Sequence, residues 1–245
     1  MQLLEGRKVT KTFGGLAAVF GVNFHIDQGE IVGLIGPNGA GKTTLFNLIS
    51  GAYPMTSGGA FFKGEEITGL KPNQICRCGI ARTFQLIKLF PEMTVFENVF
   101  LACLSGRLRG IKRSDAERRT EELLQFVGLS VEPTTPAGEL TLANQKRLEV
   151  ARGLATGPEL ILLDELMAGL NSSEVTQSMD LVKRIRERGI TVFMIEHVMK
   201  AIMSVCDRIM VLDHGVKIAE GIPKAISTDK KVIEVYLGDQ HHAEG

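Results

Sequence analysis

Two groups of residues in this chain have the types and spacing for nucleotide chemistry. The first is Gly36-Pro37-Asn38-Gly39-Ala40-Gly41-Lys42-Thr43, a complete G-x-x-x-x-G-K-[ST] phosphate loop continued by Thr44. Glycines let successive backbone N–H groups turn inward around phosphate oxygens, and the N-terminus of the following helix adds partial positive charge. In such a loop Lys42 reaches the β- and γ-phosphates and the Thr43 hydroxyl ligates Mg²⁺. The second group closes the apolar run Leu160-Ile161-Leu162-Leu163 with two carboxylates, Asp164 and Glu165. In a phosphate-loop protein that strand commonly lies beside the one feeding the loop, so Asp164 is expected in the Mg²⁺ shell. Glu165 is then suited to orient or deprotonate the attacking water. Two weaker signals accompany these. Gln85 ends Ala81-Arg82-Thr83-Phe84-Gln85 and could ligate Mg²⁺ or water; His197 follows an apolar strand as Glu196-His197 and could hold a γ-phosphate. Alone, a glutamine or a strand-end histidine is most often structural.

These residues need elements to position them, and the flanking sequence supplies candidates. Ile31-Val32-Gly33-Leu34-Ile35 reads as a buried strand before the loop, and Thr44 to Ser50 as a helix after it, closed by Gly51. Asp27-Gln28-Gly29-Glu30 is a turn signal, and the chain through about Ala60 reads as β-strands feeding the loop. The texture changes from about Pro91 to Glu139. Ser114-Asp115-Ala116-Glu117 opens like a capped helix, with Leu123, Leu124 and Val127 at helical spacing. Thr141 to Ala155 reads as another helix with Leu148, Ala151 and Ala155 on one face. The α/β rhythm then returns: strand 160–163, a charged helix from about Glu174 to Arg188, and strands over Ile190–Ile195 and Ile209–Leu212. Such alternation around a phosphate loop predicts a parallel α/β core, with the helical middle inserted into it.

Composition narrows the function classes. The chain has 245 residues, 44% of them apolar, with 28 basic and 28 acidic side chains, so nothing global argues for nucleic-acid binding. One basic run (Arg107, Arg109, Lys112, Arg113, Arg118, Arg119) is interrupted by Asp115 and Glu117 and reads as a solvated face. The amino terminus lacks the apolar core of a signal peptide, and no apolar run approaches the ~18–20 residues needed to span a bilayer. A cytosolic chain is expected, reaching a membrane only through a partner. Cys76, Cys78, Cys103 and Cys206 are too scattered for a zinc ribbon and read as reduced thiols.

Taken in order, the phosphate loop, Thr83-Phe84-Gln85, the helical insert, the strand ending Asp164-Glu165 and the strand ending at His197 resemble the ATP-binding subunit of ABC transporters. The resemblance covers nearly the whole chain. It implies one nucleotide-binding domain over 1–245: an ABC-type α/β phosphate-loop core, an antiparallel β portion at the N-terminus, and a helical insert over about 91–156. By it Gln85 is the Q-loop residue, Glu165 the catalytic base and His197 the switch histidine, while Phe13 stacks on adenine and Val19 flanks the base. It also implies ATP and Mg²⁺, and a sandwich of two subunits in which each phosphate loop faces the other's signature motif.

That motif is usually Leu-Ser-Gly-Gly-Gln; here it reads Leu140-Thr141-Leu142-Ala143-Asn144. Thr141 keeps a hydroxyl for the γ-phosphate, whereas Ala143 stands where a glycine N–H would approach it. Leu166 replaces a proline that usually follows Asp-Glu, and Asn171 an aspartate.

Finer similarity, in Gly79 to Gln85, Leu89 to Val99, Ala168 to Asn171, Ile195 to His197 and Val232 to Gly238, is to ATPases of branched-chain amino acid importers. This implies peripheral attachment to the cytoplasmic face of the inner membrane through permease subunits, with Leu86 to Val99 as the docking segment. Lipopolysaccharide-export ATPases share the tail but lack an arm like Ser105 to Lys112. Urea importers and a weakly hydrolysing regulatory module are the further alternatives. Soluble ABC proteins of the ribosome or DNA repair usually carry two cassettes or a long coiled coil.

Overall fold

The computed structural model describes residues 1–107 and 110–235; Arg109 of the basic run and Tyr236, Leu237 and Gly238 of the tail lie outside them. The chain opens with two long strands, β1 (Gln2–Phe13) and β2 (Leu16–Asp27), joined at Gly14-Gly15. β3 (Ile31–Ile35) leads through the phosphate loop into α1 (Lys42–Ile49), and β4 (Ser57–Phe62) and β5 (Glu65–Glu66) follow. They complete an antiparallel sheet in the order β2-β1-β4-β5. Next come α2 (Pro72–Cys78) and β6 (Ile80–Arg82), then the helical middle: α3 (Val95–Ser105), α4 (Arg113–Phe126) and α5 (Leu142–Ala155). The last part alternates β7 (Leu160–Asp164), α6 (Ser172–Glu187), β8 (Thr191–Ile195), α7 (Met199–Val205), β9 (Arg208–Asp213), β10 (Val216–Gly221) and α8 (Pro223–Ile226).

The second sheet runs β10-β9-β3-β8-β7-β6, parallel except for the β9–β10 hairpin. β3, β7 and β8 are buried at every position, because both faces of the sheet are covered. Their side chains divide by the two-residue period of a strand. Ile31, Ile35, Ile161, Leu163, Val192 and Met194 face a core shared with Val99, Leu123, Leu148 and Leu181 of the helices. Val32, Leu34, Leu160, Leu162, Phe193 and Ile195 face the opposite core, with Leu45 and Phe46 of α1 and Leu4 and Phe24 of the antiparallel sheet.

Two local readings need correction. β7 does not lie beside β3: β8 separates them, pairing with both. Strand order depends on how each crossover docks, which local pattern does not encode. α4 begins at Arg113 with Lys112 at its cap and no capping side-chain bond, so Ser114 lies inside the helix. The helices α2, α7 and α8 are too short to give a clear period. Elsewhere, Thr141 caps α5, accepting the Asn144 N–H at 3.4 Å. Asn171 caps α6 through Ser173 and Glu174. The basic run is largely neutralised locally: Arg113 pairs with Glu117, Arg118 with Asp115, and Arg107 with Glu159. Among the described residues no helix is long and apolar enough to cross a membrane.

Candidate active site

Strands β3, β7 and β8 run parallel, so their C-terminal ends open on one edge of the sheet, where ligands of open α/β folds bind. The loop after β3 is held tightly there. Gly36 has φ 151° and a Cβ on it would lie 2.1 Å from the Leu212 carbonyl oxygen. Gly41, the N-cap of α1, has φ 98°, and its Cβ would lie 2.3 Å from the oxygen of Ala18. Alanine at either position would meet both backbone strain and a clash. Lys42 is buried and folds back on its own loop, donating to the carbonyls of Gly36 (2.7 Å) and Pro37 (2.8 Å).

A cleft of about 270 Å³ brings the separated residues together: Asn38 to Thr44 from the loop and α1, Ala18 from β2, and Gln85, Glu165 and His197. Glu165 is its hub. One carboxylate oxygen accepts the Gln85 side-chain N–H at 3.1 Å, and the other lies 2.9 Å from Nε2 of His197. Glu165 sits just past β7 at φ 53°, a left-handed conformation that costs a non-glycine residue roughly 1–2 kcal/mol. The surroundings hold it there. Its N–H donates to the Ile195 carbonyl, and its own carbonyl accepts Lys146 Nζ at 2.6 Å. The Glu196 carboxylate accepts the N–H of Met167 at 2.8 Å.

Asp164 ends β7 with its side chain fully buried. One oxygen accepts from Arg82 at 2.9 Å; the same guanidinium donates to Asn47 (2.7 Å) and Ser50 (2.9 Å). The other oxygen, Oδ1, is buried without a hydrogen-bond partner among the described residues. An orphaned hard anionic oxygen beside a phosphate loop fits a divalent cation or its water shell. Burial raises the Asp164 pKa above its ordinary value, against the hydrogen bond and charge of Arg82.

The remaining sequence candidates lie elsewhere. Val19 is buried in the core, and the neighbouring Ala18 forms the cleft wall. Phe13 is exposed at the end of β1, edge-on to Tyr53 with ring centroids 5.6 Å apart. Gly36 and Pro37 lie behind the cleft, touching it through Lys42. Thr141 and Ala143 stand at the N-terminus of α5 and do not line this chain's cleft. Ala143 is helical there, without positive φ. Alanine favours that backbone, so its methyl group, not its conformation, distinguishes it from the glycine usual there.

Sequence reading missed Arg82, Lys146, Glu149 and Glu196. Their signal is a charged side chain on a face that otherwise reads apolar. Burial shifts all three of the latter. It lowers the Lys146 pKa against the pull of Glu196, Glu149 and Glu165. It pushes Glu149 up to about 6 and Glu196 up to about 7.

Comparison with known proteins agrees with this geometry. The ABC transporter family model matches residues 19–168, and a model described as the branched-chain amino acid ATP-binding cassette transporter matches 216–242. The chain is 41% identical to the high-affinity branched-chain amino acid transport ATP-binding protein BraF of Pseudomonas aeruginosa, over 97% of this chain and 98% of BraF. An ATP-binding cassette of an ABC transporter in its ADP conformation superposes at a TM-score of 0.86 with 32% identity, covering 97% of this chain and 99% of that one. Another cassette, a dimer in a post-hydrolysis state bound to ADP and Pi, superposes at 0.81 with 27% identity, covering 90% and 99%. With a phosphate loop, a glutamate just past one strand and a histidine just past the next meeting in one cleft, the chain belongs to the ATP-binding cassette ATPases of ABC transporters.

Proposed function

We propose that this chain is the ATP-hydrolysing subunit of an importer of branched-chain, hydrophobic amino acids. In this reading it works at the cytoplasmic face of the inner membrane, bound peripherally to permease subunits and paired with a second ATPase subunit, either another copy or a paralogue. The observation that carries the catalytic part is the convergence of Gln85, Glu165 and His197 beside the Lys42 loop. The likeness to BraF over nearly the full length supports the transport part. The intact carboxylates and histidine weigh against the alternative of a weakly hydrolysing regulatory module.

The residues divide the work. Loop N–H groups from Asn38 to Thr44 and the ammonium of Lys42 hold the phosphates. For this Lys42 releases the Gly36 and Pro37 carbonyls, an exchange of one set of acceptors for another. Thr43, Gln85 and the orphaned oxygen of Asp164 would hold Mg²⁺ or its waters. When bound there it would supply neutralisation of phosphate charge. Glu165 accepts the proton of the attacking water and His197 steadies the γ-phosphate, once Gln85 and His197 have turned from the carboxylate toward ligand. Phe13 stacks on the adenine beside Ala18, and Thr141 and Ala143 address the nucleotide held by the second subunit.

The test is Glu165→Gln in the purified chain. Loss of the base with the phosphate cradle intact should abolish turnover, leave nucleotide affinity near wild type and trap an ATP-bound dimer on size exclusion. Lys42→Ala should weaken nucleotide binding itself. Turnover near wild type in Glu165→Gln would remove Glu165 from this role. Uptake of labelled leucine, lost on deletion of the gene and restored by the wild-type chain alone, tests the transport assignment.

A further inference from the structure

Lys146, Glu149 and Arg152 occupy every third position of α5 and so form one stripe along it. The stripe is turned inward: Lys146 and Glu149 are 6% and 7% exposed. It spends its polar groups on the backbone of two loops. Lys146 Nζ donates to the Glu165 carbonyl at 2.6 Å. The Glu149 carboxylate accepts the N–H groups of Phe84 (3.2 Å) and Lys88 (3.3 Å), which bracket Gln85. Arg152 donates to the Lys88 carbonyl and lies over the Phe90 ring at 4.8 Å. Apolar side chains would fill the same space without the cost of desolvating charge. A ladder of buried charge that meets loop backbone at each rung therefore has the chemistry of a positioning device.

We propose that Lys146 and Glu149 are positioning residues for ATP hydrolysis. Lys146 fixes the left-handed turn that aims the Glu165 carboxylate, and Glu149 fixes the loop that carries Gln85. Both loops hang from one helix, which sets the separation across which Gln85 and Glu165 meet at 3.1 Å. The inference rests on the reading that Glu165 and Gln85 act on ATP. It adds that their geometry is imposed from α5 rather than by their own strands alone.

The experiment is steady-state ATPase kinetics and thermal melting of the full chain carrying Lys146→Met, Lys146→Arg, Glu149→Leu or Glu149→Gln, with Glu165→Gln alongside. An ångström-scale misplacement of a reacting group costs about 100-fold in rate. The methionine and leucine variants should therefore lose about 10- to 100-fold in kcat, with the KM for ATP within about twofold because the phosphate loop is untouched. Arginine keeps a donor and glutamine an acceptor, so those variants should recover most of the rate. Should Lys146→Met fail to fold, Lys146→Leu, which likewise has no donor, is read the same way. Methionine and leucine variants that turn over within about twofold of wild type would overturn the proposal. So would kcat, KM and melting temperature worsening together without recovery in the conservative pair, which marks a role in the fold alone. An inactive Glu165→Gln beside a fully active Lys146→Met refutes this inference only; a fully active Glu165→Gln refutes the parent reading and this one with it.

Discussion

Replacing Arg82 by methionine asks how much the carboxylate at the end of β7 depends on one guanidinium. Arg82 and Asp164 are 2.9 Å apart with side chains 6% and 0% exposed, and Arg82 also bridges Asn47 of α1 and Ser50 at its C-cap. Methionine keeps the length and apolar packing but leaves Asp164 with neither oxygen partnered among the described residues. Breaking a buried pair from one side costs about 3–5 kcal/mol. In a chain of this size that lowers the melting temperature by about 6–20 °C. The loss should depend on pH. Burial already raises the Asp164 pKa and Arg82 opposes it, so the variant's value goes higher still. A group raised in the folded state destabilises as pH climbs through that value and contributes nothing below its unfolded one. The deficit against wild type should therefore be smaller at about pH 5 than at about pH 8. The variant should also need more Mg²⁺ for turnover, because a carboxylate whose pKa is raised competes less well with protons for a cation. Melting curves and Mg²⁺ titrations of ATPase rate at the two pH values are the assay. A melting temperature within about 2 °C of wild type at the higher pH, with the same Mg²⁺ requirement, would refute the reasoning.

Glu196→Gln retains an acceptor for the Met167 N–H while removing a carboxyl that burial holds up at about 7. Wild type loses stability as pH rises from about 4.5 through about 7 and the variant does not, so melting should show an advantage that grows with pH by up to on the order of 3 kcal/mol. A pH-independent difference would contradict this. Ala143→Gly should lower stability by about 1 kcal/mol, since position 143 is helical. It should also tighten ATP-driven dimerisation in the Glu165→Gln background without changing single-chain ATP affinity, as size exclusion and nucleotide titration would reveal. Glu92→Lys, exposed before α3, should uncouple transport while the isolated subunit's ATPase rate stays unchanged. Glu97 is unsuited to that test because it closes a capping box with Thr94. Parallel loss of basal rate and transport in Glu92→Lys would assign the segment to the fold.

The parts legible in the sequence are those whose physics is local. The phosphate loop is readable because Gly36 to Thr43 serve one loop through their own backbone, and each glycine or lysine acts within a few residues of the next. The buried strands are readable because two covered faces demand unbroken apolar runs, as in Ile31–Ile35 and Leu160–Leu163. α5 is readable from Thr141, whose side chain satisfies an N–H three residues on, whereas the Asn171 cap of α6 lies ahead of the Glu174 start read from the sequence.

Tertiary structure decided what depends on residues distant in the chain. Only the docked crossovers put β8 between β3 and β7, and so set the His197 imidazole 2.9 Å from Glu165. Only folding buries Arg82 against Asp164, 82 positions away, and gives that carboxylate one partnered oxygen and one orphan. The same holds for Lys146 and Glu149: on a bare helix they are ordinary charges, and they become loop anchors when α5 packs beneath Phe84 and Glu165. The sequence by itself determined that this chain cradles a nucleoside triphosphate, because a phosphate loop carries its own geometry. Which groups meet across the cleft, and how each carboxylate is held, rests on long-range packing and desolvation, for which no short pattern codes.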